Sequence, residues 1–83
     1  MALDYRRLRS TTAREIVSAF MRDGFALRRQ SGSHRRYVHS DGRRVTVTYH
    51  AAGETFEIKT LRSMIERQAC WTESDLFGLG LLK

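Results

Sequence analysis

The sequence predicts an α+β fold, a two-layer sandwich in which two helices cover one face of a three-stranded antiparallel sheet. Three observations support this prediction. Apolar residues recur at helical spacing in two stretches, one in each half of the chain. Between them lie three short segments that suit strands, the last of them rich in Val, Thr and Tyr. Turns that contain glycine separate these segments, as expected for consecutive neighbouring strands.

The composition is that of one small globular domain. The chain has 83 residues, of which 41% are hydrophobic and 29% are charged. No apolar run reaches the roughly 18 residues of a membrane span, and the first residues lack the apolar stretch of a signal peptide. Cys70 is the single cysteine and cannot form an internal disulfide. We therefore expect a cytoplasmic protein that does not associate with membranes.

The first helix is predicted over Thr12 to Asp23, after a loose N-terminal lead-in of residues 1–11. Thr12 and Glu15 have the spacing of a capping box, in which each side chain accepts a hydrogen bond from the backbone N–H of the other residue. Gly24 suits the left-handed backbone that often ends a helix. The apolar stripe of this helix consists of Ala13, Ile16, Val17, Phe20 and Met21.

Three strands are predicted over residues 25–30, 34–39 and 43–50. Ser31-Gly32-Ser33 forms the first turn and Ser40-Asp41-Gly42 the second, because small, polar and glycine residues favour tight turns. The strands therefore follow one another as an antiparallel meander.

The second turn sets the register of the last two strands. A three-residue loop with Gly42 in a bulge places Tyr37 opposite Val45 and Arg36 opposite Thr46. A two-residue loop would shift this pairing by one residue and turn charged side chains toward the apolar side, so we prefer the bulged register. It leaves one polar face, formed by His34, Arg36, Arg44, Thr46 and Thr48.

A second helix is predicted from Thr60 to about Cys70, followed by a short helical extension that Thr72 would cap. Residues 12–83 thus form a single domain. Because both helices carry one apolar stripe, both can cover the same sheet face and leave the polar face open. This is the arrangement of a double-stranded RNA-binding fold.

Positive charge is concentrated in the middle of the chain. The net charge of the whole chain is +6, and residues 25–50 alone carry six arginines against one aspartate. Residues 51–83 have one more acidic than basic residue. A polyanion such as RNA is the partner that this distribution favours, and the predicted strands are where it would bind.

The order of several motifs resembles the HicA toxin family. The resemblance runs from about residue 13 to residue 79 and departs from the family pattern at Ala69-Cys70-Trp71 and in its longer lead-in. The residues that carry it are Gly24-Phe25, Gly32-Ser33-His34, Tyr37, His39, Asp41-Gly42-Arg43, Val45-Thr46-Val47, His50, Lys59-Thr60-Leu61-Arg62-Ser63-Met64-Ile65 and Thr72-Glu73.

The resemblance implies a ribosome-independent toxin that cleaves mRNA and has a double-stranded RNA-binding-like fold. It places the family's catalytic histidine at His34. It further implies a HicB-like antitoxin that covers the active face.

His34 also suits this chemistry on its own account. An unperturbed histidine titrates at about pH 6.5, so at neutral pH it can accept and return a proton. RNA offers a ribose 2′-OH beside a phosphodiester. A neutral imidazole could deprotonate this hydroxyl for attack on the phosphorus, and no metal is required. The alternative is that His34 is a surface residue that only hydrogen-bonds a phosphate.

Six further residues are predicted to bind RNA. Arg36 and Arg44 share the polar face with His34 and are the preferred phosphate contacts. Arg28, Arg35 and Arg43 are second choices, and Ser33 would orient His34 or contact a phosphate. The alternative is that the arginines are solvated strand residues that only discourage edge pairing.

No metal or cofactor is expected. His34, His39, His50 and Cys70 lack the ligand spacing of structural zinc sites, and no phosphate loop or nucleophile motif is present. Two other functions stay open: a non-catalytic RNA-binding module on the same fold, and a basic module that docks an acidic protein.

Overall fold

The computed structural model describes residues 3–82 and confirms the α+β architecture. Three antiparallel strands form one sheet in the order β1-β2-β3, so β2 is the central strand. Helices cover one face of the sheet. The elements are α1 (Tyr5–Leu8), α2 (Ala13–Asp23), β1 (Phe25–Ser31), β2 (His34–His39), β3 (Arg44–Thr48), α3 (Ile58–Arg62), a π-helical segment (Ser63–Gln68) and α4 (Glu73–Gly78).

Helix α2 begins and ends as its sequence predicts. The Thr12 hydroxyl accepts a hydrogen bond from the Glu15 N–H, and the Glu15 carboxylate accepts one from the Thr12 N–H at 2.9 Å. Gly24 ends the helix with φ +108°, and a Cβ at this position would lie 2.8 Å from His39 Nε2. Both the left-handed backbone and the approach of His39 therefore require glycine here.

The bulged register of β2 and β3 is confirmed. Tyr37 pairs with Val45 and Arg36 with Thr46. In the connecting turn the Gly42 N–H donates to the His39 carbonyl at 2.9 Å, and Gly42 has φ +98°. Strand β3 is shorter than its prediction at both ends.

Strand β1 contains a bulge that the sequence pattern does not reveal. Leu27 pairs with Tyr37, but the next paired residue is Arg29, which lies opposite Arg36. Arg28 is the extra residue. Because side chains alternate between faces, this one-residue shift turns Arg29 to the same face as Arg36.

The core lies between the sheet and the helices and is centred on Phe20. The Phe20 ring stacks on Trp71 with centroids 4.7 Å apart and meets Phe25 edge-on at 5.4 Å. The Trp71 indole N–H donates to an Asp23 carboxylate oxygen at 2.9 Å, which links the chain after the π-helical segment to the end of α2. This packing covers one face of the sheet and leaves the other face open.

The prediction of a loose lead-in is wrong for residues 5–8, which form helix α1. Tyr5 and Leu8 are buried in the core, and the Tyr5 hydroxyl donates a hydrogen bond to the Glu66 carboxylate. Burial, reinforced by that carboxylate, raises the pKa of Tyr5 far above its ordinary value. A helix of one turn is too short to show periodicity in the sequence.

The C-terminal half also differs from its prediction in detail. The second helical stretch begins at Ile58, and its last part, Ser63–Gln68, is π-helical. Thr72 caps α4 through a capping box with Asp75, as predicted. Among residues 3–82, no helix is long and apolar enough to cross a membrane.

Candidate active site

His34 is the first residue of the central strand and points to the open sheet face. It pairs with Ser31 on β1 and with Thr48 on β3. It is exposed, and within the described residues its side chain has no hydrogen-bond or ion-pair partner. An imidazole in this position is accessible to a substrate from solvent and is not committed to a structural contact.

A shallow groove of about 240 Å³ surrounds His34. Besides His34, every residue that lines it carries a hydroxyl or a guanidinium group. Its lining residues are Arg29, Ser31, His34, Arg35, Arg36 and Thr46.

Arg29 and Arg36 give this groove its charge. They lie directly opposite each other on β1 and β2, and both are exposed. Within residues 3–82 neither has a hydrogen bond or an ion pair with an acidic side chain. Like charges in directly opposite positions destabilise a sheet, and a bound anion would relieve this repulsion. The groove is therefore suited to a phosphate group.

Arg29 and Ser31 are site residues that the sequence analysis missed. Without a bulge, Arg29 would alternate away from the polar face, so the simple strand pattern hides it. The bulge at Arg28 restores it to that face. Ser31 appears in the sequence as a turn residue, whereas the structure places it at the end of β1, opposite His34.

The remaining arginines of the open face lie farther from His34. Arg44 pairs with Val38, four residues along β2 from His34, which is about 13 Å at about 3.3 Å per residue. Arg28 is exposed at the bulge of the edge strand. Both are exposed, but neither lines the groove around His34.

Arg43 is not in the groove. Its guanidinium contacts the Asp41 carboxylate at 2.7 Å and the Asp23 carboxylate at 3.1 Å, and it donates to the Ala69 carbonyl at 2.6 Å. The Asp41 carboxylate accepts a hydrogen bond from the Arg43 backbone N–H and also contacts the positively charged Arg43 side chain. Both lower the pKa of Asp41, and the backbone hydrogen bond has the larger effect. Arg43 thus holds the second turn against the helical layer.

Ser33 and Arg35 are the residues immediately before and after His34 in the chain. Arg35 lines the groove, but its Nη1 donates to the carbonyl oxygens of Ser33 and Tyr49, at 3.0 and 2.9 Å. Its guanidinium lies 3.9 Å from the centre of the Tyr49 ring. The Ser33 carbonyl accepts a second hydrogen bond, from the Tyr49 N–H at 3.2 Å.

The other two histidines do not reach the groove. His39 Nε2 contacts the Asp23 carbonyl at 2.7 Å, and His39 Nδ1 accepts a hydrogen bond from the Asp41 N–H at 3.0 Å. His50 is exposed and follows β3. In the described part of the chain, no three His, Cys, Asp or Glu side chains converge in a way that could hold a metal ion.

A family model described as HicA toxin of bacterial toxin-antitoxin matches residues 13–70, which is more than half of the chain. The chain belongs to the HicA toxin family. A comparison with curated proteins found no match. The HicA match begins at the first residue of α2 and ends at Cys70, so it contains the whole groove and excludes α1 and α4.

Membership of the HicA family makes the protein a toxin of a bacterial toxin–antitoxin system, which implies an antitoxin partner. The Gly32-Ser33-His34 segment, on which the HicA resemblance placed the catalytic histidine, lies at the turn between β1 and β2. The structure brings that histidine together with Arg29, Arg36 and Thr46.

Proposed function

We propose that this HicA-family toxin is an endoribonuclease that cleaves mRNA, with His34 as its catalytic residue. The observation that carries the proposal is the juxtaposition of an exposed, uncommitted imidazole with two opposed guanidinium groups on an open sheet face. An imidazole supplies the base, and the guanidinium groups supply the phosphate site that RNA cleavage requires.

In the proposed reaction, neutral His34 accepts the proton of a ribose 2′-OH. The 2′ oxygen then attacks the adjacent phosphorus, and the bond from phosphorus to the 5′ oxygen of the next nucleotide breaks. That oxygen leaves with a proton from water, and the imidazolium later releases its own proton to solvent. The products are a 2′,3′-cyclic phosphate and a 5′-OH end, and no metal ion takes part.

Arg29 and Arg36 bind the reacting phosphate in this mechanism. The transition state carries more negative charge on phosphate oxygens than the substrate does, so guanidinium groups stabilise it more strongly. Arg44 and Arg28 contact phosphates farther along the RNA. Their roles are positioning and affinity, because phosphate contacts carry no direct sequence information.

The proposed substrate is single-stranded or locally opened mRNA. In-line attack requires the ribose and phosphate to rotate into a geometry that a regular RNA duplex does not adopt. Proteins that act on particular RNA sites generally bind single-stranded loops and ends. The open face can therefore accept a flexible strand despite the duplex-binding-like fold. In the cytoplasm, a HicB-like antitoxin would cover this face and prevent cleavage.

The test is cleavage of purified mRNA by the wild-type protein and two histidine variants, in the presence of EDTA. His34→Ala is expected to lower the cleavage rate by about 100-fold or more, the usual contribution of a catalytic acid or base. His50→Ala is the matched control, because His50 is also exposed but lies outside the groove. It should cleave at the wild-type rate. Wild-type cleavage by folded His34→Ala would refute the assignment.

A non-catalytic RNA-binding module is the second candidate function. It is favoured by the absence, within residues 3–82, of a carboxylate or second histidine that would orient or assist His34. Both functions predict binding that weakens steeply as salt concentration rises. Binding without any cleavage by the wild-type protein would support the second function.

A further inference from the structure

The peptide bond that joins Ser33 to His34 is held by two hydrogen bonds to its carbonyl oxygen. The Ser33 carbonyl oxygen accepts hydrogen bonds from Arg35 Nη1 at 3.0 Å and from the Tyr49 N–H at 3.2 Å. Arg35 Nη1 also donates to the Tyr49 carbonyl at 2.9 Å. One guanidinium thus joins the residue that precedes β2 to the residue that follows β3.

Contacts at this oxygen bear directly on the orientation of His34. A peptide unit is planar, so the Ser33 carbonyl group and the N and Cα atoms of His34 lie in one plane. Two donors on the Ser33 oxygen restrict rotation of that plane. They therefore restrict the direction in which the His34 side chain leaves the backbone.

The arginine side chain suits this role better than other cations. Its planar guanidinium lies 3.9 Å from the centre of the Tyr49 ring, and a flat, delocalised cation stacks on an aromatic ring while its N–H groups stay free to donate. Arg35, Ser33 and Tyr49 are all half-buried. Hydrogen bonds in such a setting are costly to lose, because water replaces them poorly.

We infer that Arg35 is a positioning residue for His34, and not the phosphate contact that the sequence suggests. Its neighbour Arg36 faces the opposite side of the strand, toward solvent, because consecutive side chains alternate. The two arginines therefore have different roles despite their adjacency. This inference deepens the proposed function and rests on it for its activity measurement.

The test compares Arg35→Met with Arg36→Met, since methionine keeps much of the apolar stem and removes the charge. Arg35→Met is expected to lower kcat by about 10-fold or more, with KM within about twofold and an unchanged dependence of binding on salt. Arg36→Met should raise KM and reduce the slope of log affinity against log salt by about one. If Arg35→Met raises KM and reduces that slope as Arg36→Met does, Arg35 is a phosphate contact and the inference is wrong.

A second measurement needs no RNA. Nuclear magnetic resonance of the free wild-type protein should show a rigid Ser33–His34 backbone and one dominant side-chain rotamer for His34. Arg35→Met should make the backbone mobile and average the rotamers, and Arg35→Lys should restore part of the order. An unchanged His34 rotamer in folded Arg35→Met would overturn the inference.

The two measurements separate the two proposals. If the wild-type protein cuts no RNA but Arg35→Met disorders His34, the proposed function fails and the positioning role stands. If the wild-type protein cuts RNA and Arg35→Met leaves both kcat and the His34 rotamer unchanged, only the positioning role fails. If Arg35→Met does not fold, Arg35→Lys replaces it in both the activity measurement and the nuclear magnetic resonance measurement.

Discussion

In the proposed function, Arg29 and Arg36 are a pair of side chains that favour phosphate binding over stability. They face each other across β1 and β2, and no acidic side chain in the described chain neutralises them. Such a pair costs free energy in the empty protein and returns it when an anion binds. His34 lies two residues along β2 from Arg36, on the same face, where the proposed mechanism places the ribose next to the bound phosphate.

Replacement of Arg29 by glutamine should therefore have opposite effects on stability and on RNA binding. We expect Arg29→Gln to raise the free energy of unfolding by about 0.5 kcal/mol, because the repulsion with Arg36 disappears. RNA affinity should fall by about fivefold or more at moderate salt. Urea denaturation and a binding titration measure the two effects.

Arg67→Gln is the matched control for this substitution. Arg67 is exposed on the π-helical segment, in the helical layer and outside the groove. Arg67→Gln should leave the free energy of unfolding unchanged and should reduce RNA affinity much less than Arg29→Gln does. A loss of stability in Arg29→Gln, or equal losses of affinity in the two variants, would contradict the opposed-arginine account.

At the scale of elements, the π-helical segment contacts the edge of the sheet that β3 forms. The edge of β3 is blocked by Gln68, whose side-chain oxygen accepts a hydrogen bond from the Thr46 N–H at 2.8 Å. The Gln68 amide also donates to the Ser63 hydroxyl at 3.0 Å, across the π-helical segment that carries both residues. This segment therefore supports the strand that carries Thr46 at the groove, and it occupies an edge that could otherwise pair with another chain.

Gln68→Ala tests the importance of that contact. We expect the free energy of unfolding to fall by about 1 kcal/mol, because a hydrogen-bonded backbone donor loses its partner. We also expect more self-association at high concentration, because the edge of β3 becomes available. Urea denaturation and light scattering measure these effects, and a variant with unchanged stability and no added association would contradict the prediction.

Some elements were predictable from the sequence, and others were not, for identifiable reasons. The β2–β3 register follows from apolar alternation and from the Asp41-Gly42 turn, and the structure has the same pairing. The bulge at Arg28 was not predictable, because adjacent charged residues give no signal of which face they occupy. The π-helical stretch and the one-turn helix α1 likewise leave no distinctive periodicity. The predicted polar face therefore contained His34, Arg36 and Thr46 of the groove, but not Arg29 or Ser31.

At the scale of the whole molecule, helix α1 contributes to the core. Leu8 of α1 is fully buried, and the Arg62 guanidinium lies 5.2 Å from the centre of the Tyr5 ring. None of these three residues lines the groove. A chain of 83 residues builds only a small core, so each buried side chain carries a large share of its stability. Helix α1 is therefore part of the folded unit, although the family match begins at residue 13.

Leu8→Ala measures that contribution. We expect the free energy of unfolding to fall by about 3 kcal/mol, the usual cost of removing a fully buried leucine side chain. Cleavage of RNA by the fraction that remains folded should be unchanged, because Leu8 lies outside the groove. A loss below about 1 kcal/mol would show that α1 adds little to the core.

The most direct test of the central claim, that His34 activates a ribose 2′-OH, is cleavage of an RNA with one 2′-deoxy nucleotide. This nucleotide is placed immediately 5′ of the scissile phosphate, in a strand that the wild-type protein cuts. The account predicts a cyclic phosphate end on the all-ribose strand and no cut at the modified position, whereas other sites in the same strand stay cleavable. Cleavage at the 2′-deoxy position at the rate of the all-ribose strand would contradict it.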